Sequence, residues 1–443
     1  MMHRREFINK SALLVGSFSF LKFSDPLFAA ALTDKVQRIS HLTPEESAAD
    51  EDFWAWIREA YTVSANIINL NNGGVSPQPK VVQDAHIRNY QLCNEAPSYY
   101  MWRILDQGRE PLRAKLAELA GCSAEEIAIN RNSTEGLNTV IFGLDLKAGD
   151  EVVLNKYDYP NMVNAWKQRE KREGIKLVWV DLNLPAENDQ EIVSLYSKAI
   201  TSKTKIVHIT HIINWTGQIM PVRAIADVAH AKGCEVIVDG AHTFAHLDYK
   251  IPDLDCDYYA TSLHKWLCAP FGSGMLFIKK EKIKKVWALL SAYEPDSENI
   301  HKFEMLGTRS FASEMAIGNA IEFHKMIGIK RKEARLRFLK NYWVDKVKHL
   351  PNVKFNTSLL PAFSAALCSF SVTGWKASEL ETKLFESKKI HTTAIPLEKI
   401  GGVRITPQVY TTLPELDRLV EGIKEIAAMS GPPEEKPAEK PKY

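Results

Sequence analysis

Three short segments of this chain carry side chains that could do chemistry together. The first is Thr261-Ser262-Leu263-His264-Lys265-Trp266-Leu267-Cys268-Ala269-Pro270. Lys265 stands among aromatic and apolar neighbours just after a strand-like run, an odd place for a solvated ammonium. Desolvation lowers an amine's pKa, and the neutral amine is the form that makes an imine with a carbonyl. A lysine that buries its stem and snorkels its head to water would show the same pattern. The second segment, Cys234-Glu235-Val236-Ile237-Val238-Asp239-Gly240-Ala241-His242, reads as a buried strand ending in a carboxylate. Open α/β sheets bind ligands at the carboxyl ends of their strands, so Asp239 could face a ligand; it could equally cap a helix or close a buried salt bridge. The third, Asn130-Arg131-Asn132-Ser133-Thr134-Glu135-Gly136, follows a strand and opens a helix. Backbone N–H groups, the helix dipole and the hydroxyls of Ser133 and Thr134 would suit an anion there, and the same geometry serves a plain N-cap.

These segments need a scaffold, and the hydrophobic pattern supplies one. Short β-branched runs at 127–130, 151–154, 177–180, 206–209 and 236–238 read as buried strands. Helical periodicity fills the intervals at 134–143, 162–172 and 222–232. That alternation predicts βαβ units, hence an α/β fold with a mainly parallel sheet and helices on both faces. Two further strands are expected at 258–262 and 274–278. Beyond about Ser313 long helices with few strands predict a smaller C-terminal α+β domain. The expected organisation is an N-terminal segment at 32–78, a large domain at 79–312, a small domain at 313–429 and a disordered tail at 430–443. The N-terminal segment ends in the turn cluster Asn71-Asn72-Gly73-Gly74-Val75-Ser76-Pro77. The tail is rich in Pro, Glu and Lys.

The bulk numbers narrow the class. The 443 residues are 45% hydrophobic and 25% charged, and 56 Lys and Arg against 54 Asp and Glu leave a formal charge of +2. No basic excess points to nucleic acid, and no long apolar run in the body points to a membrane span. The six cysteines are scattered without metal-ligand pairing and read as mainly buried thiols. The first 31 residues read as an export signal: Arg4-Arg5-Glu6-Phe7-Ile8-Asn9-Lys10, an apolar stretch at 12–23, then Ala29, Ala30 and Ala31. Arg-Arg-x-Phe-Ile-x-Lys resembles the twin-arginine signal, which addresses folded cargo to a bacterial exporter. A periplasmic or secreted protein is therefore expected, with that export machinery as a partner. A protein that folds around a cytoplasmic cofactor needs such a route.

Taken in order, the three segments resemble the class V aminotransferases, enzymes of the fold-type-I pyridoxal-phosphate architecture. Leu263-His264-Lys265-Trp266-Leu267-Cys268-Ala269-Pro270 and Phe303-Glu304-Met305-Leu306-Gly307-Thr308-Arg309 resemble the isopenicillin N epimerase branch. The resemblance runs from about residue 69 to 427. It implies that Lys265 carries pyridoxal 5'-phosphate as a Schiff base and moves the substrate α-proton. It implies that Asp239 pairs with the pyridinium nitrogen, and that His242 and Asn214 lie near the phenolic oxygen. Ser133, Thr134, Ser262 and His264 would hold the phosphate, and Thr308 would reach the phosphate of a second subunit, which makes a homodimer. Tyr159 takes the place where relatives stack a histidine on the ring. Arg404, in Gly402-Val403-Arg404-Ile405-Thr406, matches the arginine that forks onto the substrate carboxylate.

Two departures bear on the reaction. Cysteine desulfurases place a nucleophilic cysteine shortly before that arginine, whereas Ile390-His391-Thr392-Thr393-Ala394-Ile395-Pro396 has none. Phe271 stands where epimerase-like relatives often carry lysine. The expected function is therefore an enzyme acting on an amino-acid-like substrate by α-proton abstraction: an epimerase, transaminase or lyase. A selenocysteine lyase or desulfurase-type enzyme is the alternative within the family, and a binding protein without turnover is the alternative outside it.

Overall fold

The computed structural model of the chain describes residues 34–397 and 399–429. Residues 1–31, expected as the export signal, and 430–443, expected as the tail, lie outside the described residues. The central element is a seven-stranded sheet of β1 (Ile127–Asn130), β2 (Glu151–Asn155), β3 (Lys176–Val180), β4 (Thr204–Thr210), β5 (Glu235–Asp239), β6 (Tyr258–Ser262) and β7 (Gly274–Ile278). The strand order is β1-β7-β6-β5-β4-β2-β3. Every pairing is parallel except the two made by β7, so one strand alone runs against the rest.

The sheet is buried on both faces, and the alternation of its side chains shows why. Val153, Val207, Ile209, Val236, Val238 and Tyr259 point into one core with helices Arg109–Ala120 and Val222–Ala231. Their neighbours Val152, Leu154, Ile206, Ile237, Tyr258 and Ala260 point into another, covered by helices α1 (Ser133–Gly143) and α2 (Pro160–Glu173). Strands that are apolar at consecutive positions are those that need a layer on each side. Each fully buried Val, Ile or Leu contributes about 1.5–3 kcal/mol. The expected βαβ architecture is the one observed. Helix α2 also shows clean local signals, with Pro160 at its first turn and Gly174 closing it in a left-handed conformation at φ 76°.

A second, smaller sheet lies towards the C-terminus. It is antiparallel, with order β10-β11-β9-β8 for β8 (Val353–Phe355), β9 (Cys368–Val372), β10 (Thr393–Ile395) and β11 (Gly402–Ile405). Its core takes residues from Leu339 to Ile426 together with Ile68 and Leu70. Helix α3 (Phe311–Ile327) packs instead with the large core through Met315, Ile317, Ile321 and Phe323. Helix α4 (Ile329–Asp345) joins the two, placing Leu336 in the large core and Leu339, Trp343 and Val344 in the small one. The N-terminal segment is a third tie. Ile68–Asn69 pairs in parallel with Ile390–His391, and Asn71 bridges to Thr406.

The open edge of β1 is closed by charge rather than by another strand. Glu304 accepts from the Ile129 N–H at 2.6 Å, and its carboxylate takes both Arg113 Nη atoms, at 2.6 and 2.9 Å. Arg109 adds a third contact at 3.0 Å. Arg113 and Glu304 are both almost wholly buried, and without Glu304 the Arg113 guanidinium keeps only the largely exposed Glu110 and the Ile127 carbonyl. Glu304→Ala should therefore cost about 3–5 kcal/mol of stability, read by chemical denaturation. A loss below about 1 kcal/mol would mean that the edge is held by packing alone.

Candidate active site

Parallel strands deliver their carboxyl ends to one rim, and the sequence places polar side chains there. Asn130, Asn155, Thr210, Asp239 and Ser262 each end a strand on that rim, and the reversed strand β7 begins there at Gly274. Gly240 follows Asp239 where the backbone presses on Tyr259; a Cβ would fall 2.0 Å from that ring. Asp239 is buried, accepts from the Ala241 N–H at 2.9 Å and has no Lys, Arg or His within 4.0 Å among the described residues. Burial raises its pKa, against the opposing pull of that N–H and of Lys265.

Lys265 follows β6 in a tight turn. The amine is hemmed in by protein, although the residue keeps some solvent contact. Burial pulls its pKa down to about 8, with Asp239 opposing and Arg404 reinforcing the shift. Its Nζ lies 3.2 Å from His242 Nε2, while Trp266 Nε1 approaches His242 Nδ1 at 3.4 Å. An indole nitrogen only donates, so Nδ1 is the acceptor and the proton of a neutral ring sits on Nε2. Burial, reinforced by Lys265 and Arg404, keeps that ring neutral. Nε2–H can then bond only to a lysine with a free lone pair. The geometry thus selects the neutral amine, the form that reacts with carbonyls.

At the far end of the rim, α1 presents its first turn. Asn132 is the N-cap, accepting from Glu135 N at 2.8 Å, so neither Ser133 nor Thr134 is needed for capping. The Ser133 N–H donates to Ser262 Oγ at 3.0 Å, and the two hydroxyls are also 3.0 Å apart. No hydrogen bond engages the Thr134 hydroxyl among the described residues. His264 Nδ1 donates to Ser273 O at 3.1 Å, and burial holds its pKa at about 4. Its Nε2 is therefore an acceptor unless an anion draws a second proton onto the ring. Thr308 lies apart, exposed on the loop before α3.

Arg404, on β11, is buried and reaches the rim from the smaller sheet. Its Nη1 donates to Asn214 O at 3.1 Å and its Nη2 to Asn71 Oδ1 at 2.7 Å, while Nε has no partner. No carboxylate lies within 4.0 Å of it among the described residues. Burial lowers its pKa to about 10, countered by the phenol of Tyr159, which stands close by at the start of α2. Asn214 is buried with Oδ1 unpartnered. The structure thus gathers Lys265, Asp239, His242, Ser262, Ser133, Asn214 and Arg404 around one rim and leaves Thr308 outside it.

Sequence reasoning missed three contributors. Asn71 holds Arg404, although its Asn-Asn-Gly-Gly context reads as mere turn punctuation. Asp158, buried beside Tyr159, accepts from Asn155 N at 2.8 Å and Thr210 Oγ1 at 2.7 Å and so staples that turn. Its place just before Tyr159 was the only clue. Trp266, next to Lys265, fixes the tautomer of His242.

The fold and the site define a family. Residues 68–419 match the model of aminotransferase class V, and the chain belongs to that family. It is similar to the isopenicillin N epimerase of Amycolatopsis lactamdurans, at 26% identity over 84% of this chain and 98% of that one. It is also similar to a probable cysteine desulfurase of Halalkalibacterium halodurans, at 28% identity over 82% and 94%. Among solved structures, a mutant of C-DES with glycine covalently linked to its PLP cofactor superposes with a TM-score of 0.74, at 22% identity over 84% and 99%. The protein is a pyridoxal-phosphate-dependent enzyme of fold type I. The residues present fit that cofactor: a depressed amine, a buried carboxylate without a cation, and a helix N-terminus beside two hydroxyls.

A prediction follows from the amine. With a pKa of about 8, the neutral fraction of Lys265 falls about tenfold per pH unit well below that value and saturates above it. The rate at which cofactor-free protein captures pyridoxal phosphate, followed by absorbance, should rise with pH and level off above about 9. A rate still climbing at pH 10, as for an ordinary lysine, would contradict the depressed amine.

Proposed function

We propose that the enzyme acts on an amino-acid-like substrate by abstraction of the α-proton, as an epimerase, transaminase or lyase, with Lys265 as the base. The observation that carries this reading is Arg404: a buried guanidinium with only neutral acceptors and an unpartnered Nε. A buried cation without an anion costs several kcal/mol, and a substrate carboxylate removes that cost. Bound pyridoxal phosphate supplies an electron-accepting ring conjugated to the substrate's α carbon. Asp239 would hold the ring nitrogen protonated, and the helix N-terminus with Ser133, Thr134, Ser262 and His264 would take the phosphate. Tyr159 would stack on the ring, and His242 and Asn214 would lie at its phenolic oxygen. The free Lys265 amine would face the α C–H bond as its base, and the Arg404 fork would hold the substrate carboxylate that orients that bond.

The desulfurase-type alternative has less support. The stretch 390–396 contains no cysteine, and Cys268 is buried, with its pKa raised by burial. Cys122 alone of the six cysteines is not fully buried. The exposed Thr308 supports a homodimer in which each subunit lends this hydroxyl to the other's phosphate.

An amino-acid panel in deuterated water tests the reading by mass spectrometry. Some member should exchange its α-hydrogen, and Arg404→Ala should lower the corresponding kcat/KM by about ten- to a hundredfold, since a charge-assisted bond contributes ~1.5–3 kcal/mol. Product configuration, dependence on a keto acid and loss of a side-chain group then separate the three reactions. Exchange unaffected by Arg404→Ala would place the carboxylate elsewhere.

We also propose export through a twin-arginine route to the periplasm or beyond, on the strength of Arg4, Arg5, Phe7 and Lys10. Changing Arg4 and Arg5 to Lys should retain the precursor in the cytoplasm, read by fractionation and immunoblotting. Undiminished export of that variant would indicate a general secretory signal.

A further inference from the structure

Lys332 is a buried amine, its pKa pulled down to about 8 by burial, that no part of the site so far accounts for. It lies on the first turns of α4, is only 3% exposed, and has no carboxylate within 4.0 Å among the described residues. Its surroundings, Cys268, His246 and His324, offer no negative charge in their neutral forms. Its one side-chain hydrogen bond goes to the backbone carbonyl of Trp266, the residue after Lys265. Burying an ammonium without an anion is unfavourable by several kcal/mol, and one bond to a neutral carbonyl offsets only part of that. A methionine of similar length would serve packing better.

The carbonyl it holds belongs to an unusually constrained turn. Trp266 donates through its indole to His242 and stacks on His246, with ring centroids 3.9 Å apart and planes 18° from parallel. Two residues further, Cys268 adopts φ 58°, a left-handed conformation that a non-glycine residue takes at a cost. Lys265 N bonds Ser262 O and Cys268 N bonds Lys265 O, both at 3.3 Å, Ala269 N closes the turn on Leu263 O at 3.1 Å and Ser76 N holds the His264 carbonyl at 3.0 Å, but among the described residues no backbone N–H reaches the Trp266 carbonyl. Lys332 is what holds that carbonyl from outside the turn, where its other contact is the weak Cys268 thiol at 3.8 Å.

We propose that Lys332 is a positioning residue that, by clamping the Trp266 carbonyl, fixes the turn from which the Lys265 amine is presented. The inference rests on the assignment of Lys265 as the cofactor lysine. Because α4 enters both cores, the clamp also ties the angle of Lys265 to the helix that carries the smaller domain.

Lys332→Met and Lys332→Gln test this against wild type, with three readouts. Borohydride reduction followed by peptide mapping tests Lys265 itself in the wild-type holoenzyme, and a label elsewhere would remove the premise without reference to Lys332. Thermal unfolding of the Met variant should be unchanged or shifted upward, because a buried unpaired charge has been removed. Its capture of pyridoxal phosphate should nonetheless slow roughly tenfold, and the visible dichroism of the bound cofactor should weaken, as misplacement by a fraction of an ångström is expensive. Gln keeps an N–H donor one bond shorter and should recover part of both. A Met variant with wild-type capture and dichroism overturns the proposal, as does one whose only defect is lower stability. A Gln variant no better than Met would make the charge, not the hydrogen bond, the agent, and would equally overturn it.

Discussion

Everything at this site depends on keeping one amine short of water while leaving it within reach of a ligand. Lys265 achieves this through a ring of groups that each prefer it neutral. Burial withdraws the solvent that an ammonium needs, the positive Arg404 repels a second charge, and His242 offers a donor where an ammonium would require an acceptor. Asp239 pulls the other way, and the balance settles near neutrality rather than at either extreme. A fully apolar pocket would push the amine further down but would leave nothing to hold a polar ligand. The parallel sheet solves this by bringing strand ends together: apolar strand middles run into Asn130, Asn155, Thr210, Asp239 and Ser262 at their carboxyl ends, so a dry core meets a polar rim.

Much of this was legible from the residues. The strands β2, β4 and β5 announce themselves because they are buried on both faces and are rich in β-branched side chains. Asp239 and Lys265 stand out for the same reason, as charges placed where the pattern otherwise forbids them. What could not be read is long-range. Asn71 and Arg404 meet because Ile68–Asn69 pairs with Ile390–His391 and Asn71 bridges to Thr406, and no local pattern encodes that pairing. The capping role of Asn132, rather than of the hydroxyl residues beside it, was hidden because all three are good caps and only the backbone angles distinguish them. The membership of α3 in the large core was likewise invisible, since its apolar stripe would suit either neighbour.

The motif around Glu304 illustrates how a family-like stretch can serve two purposes. Its glutamate closes the edge of β1 with Arg113, and its threonine lies a few residues on, in the open. A rigid ion pair therefore anchors one end of a loop whose other end is exposed. Edge strands invite unwanted pairing, and a buried carboxylate that takes the free N–H of Ile129 removes part of that template. The same constraint fixes the start of the exposed loop against the edge of β1.

The parallel pairing of Ile68–Asn69 with Ile390–His391 joins stretches near opposite ends of the chain. Closing so long a loop is entropically slow to achieve and gains little until most other contacts exist. During synthesis the large sheet, with Asp239 and Lys265, can form well before Arg404 has been made. Asn71 must then wait for its partner, through almost the whole of translation. The residues that would grip the cofactor are thus made early and those that complete the surrounding pocket only near the end.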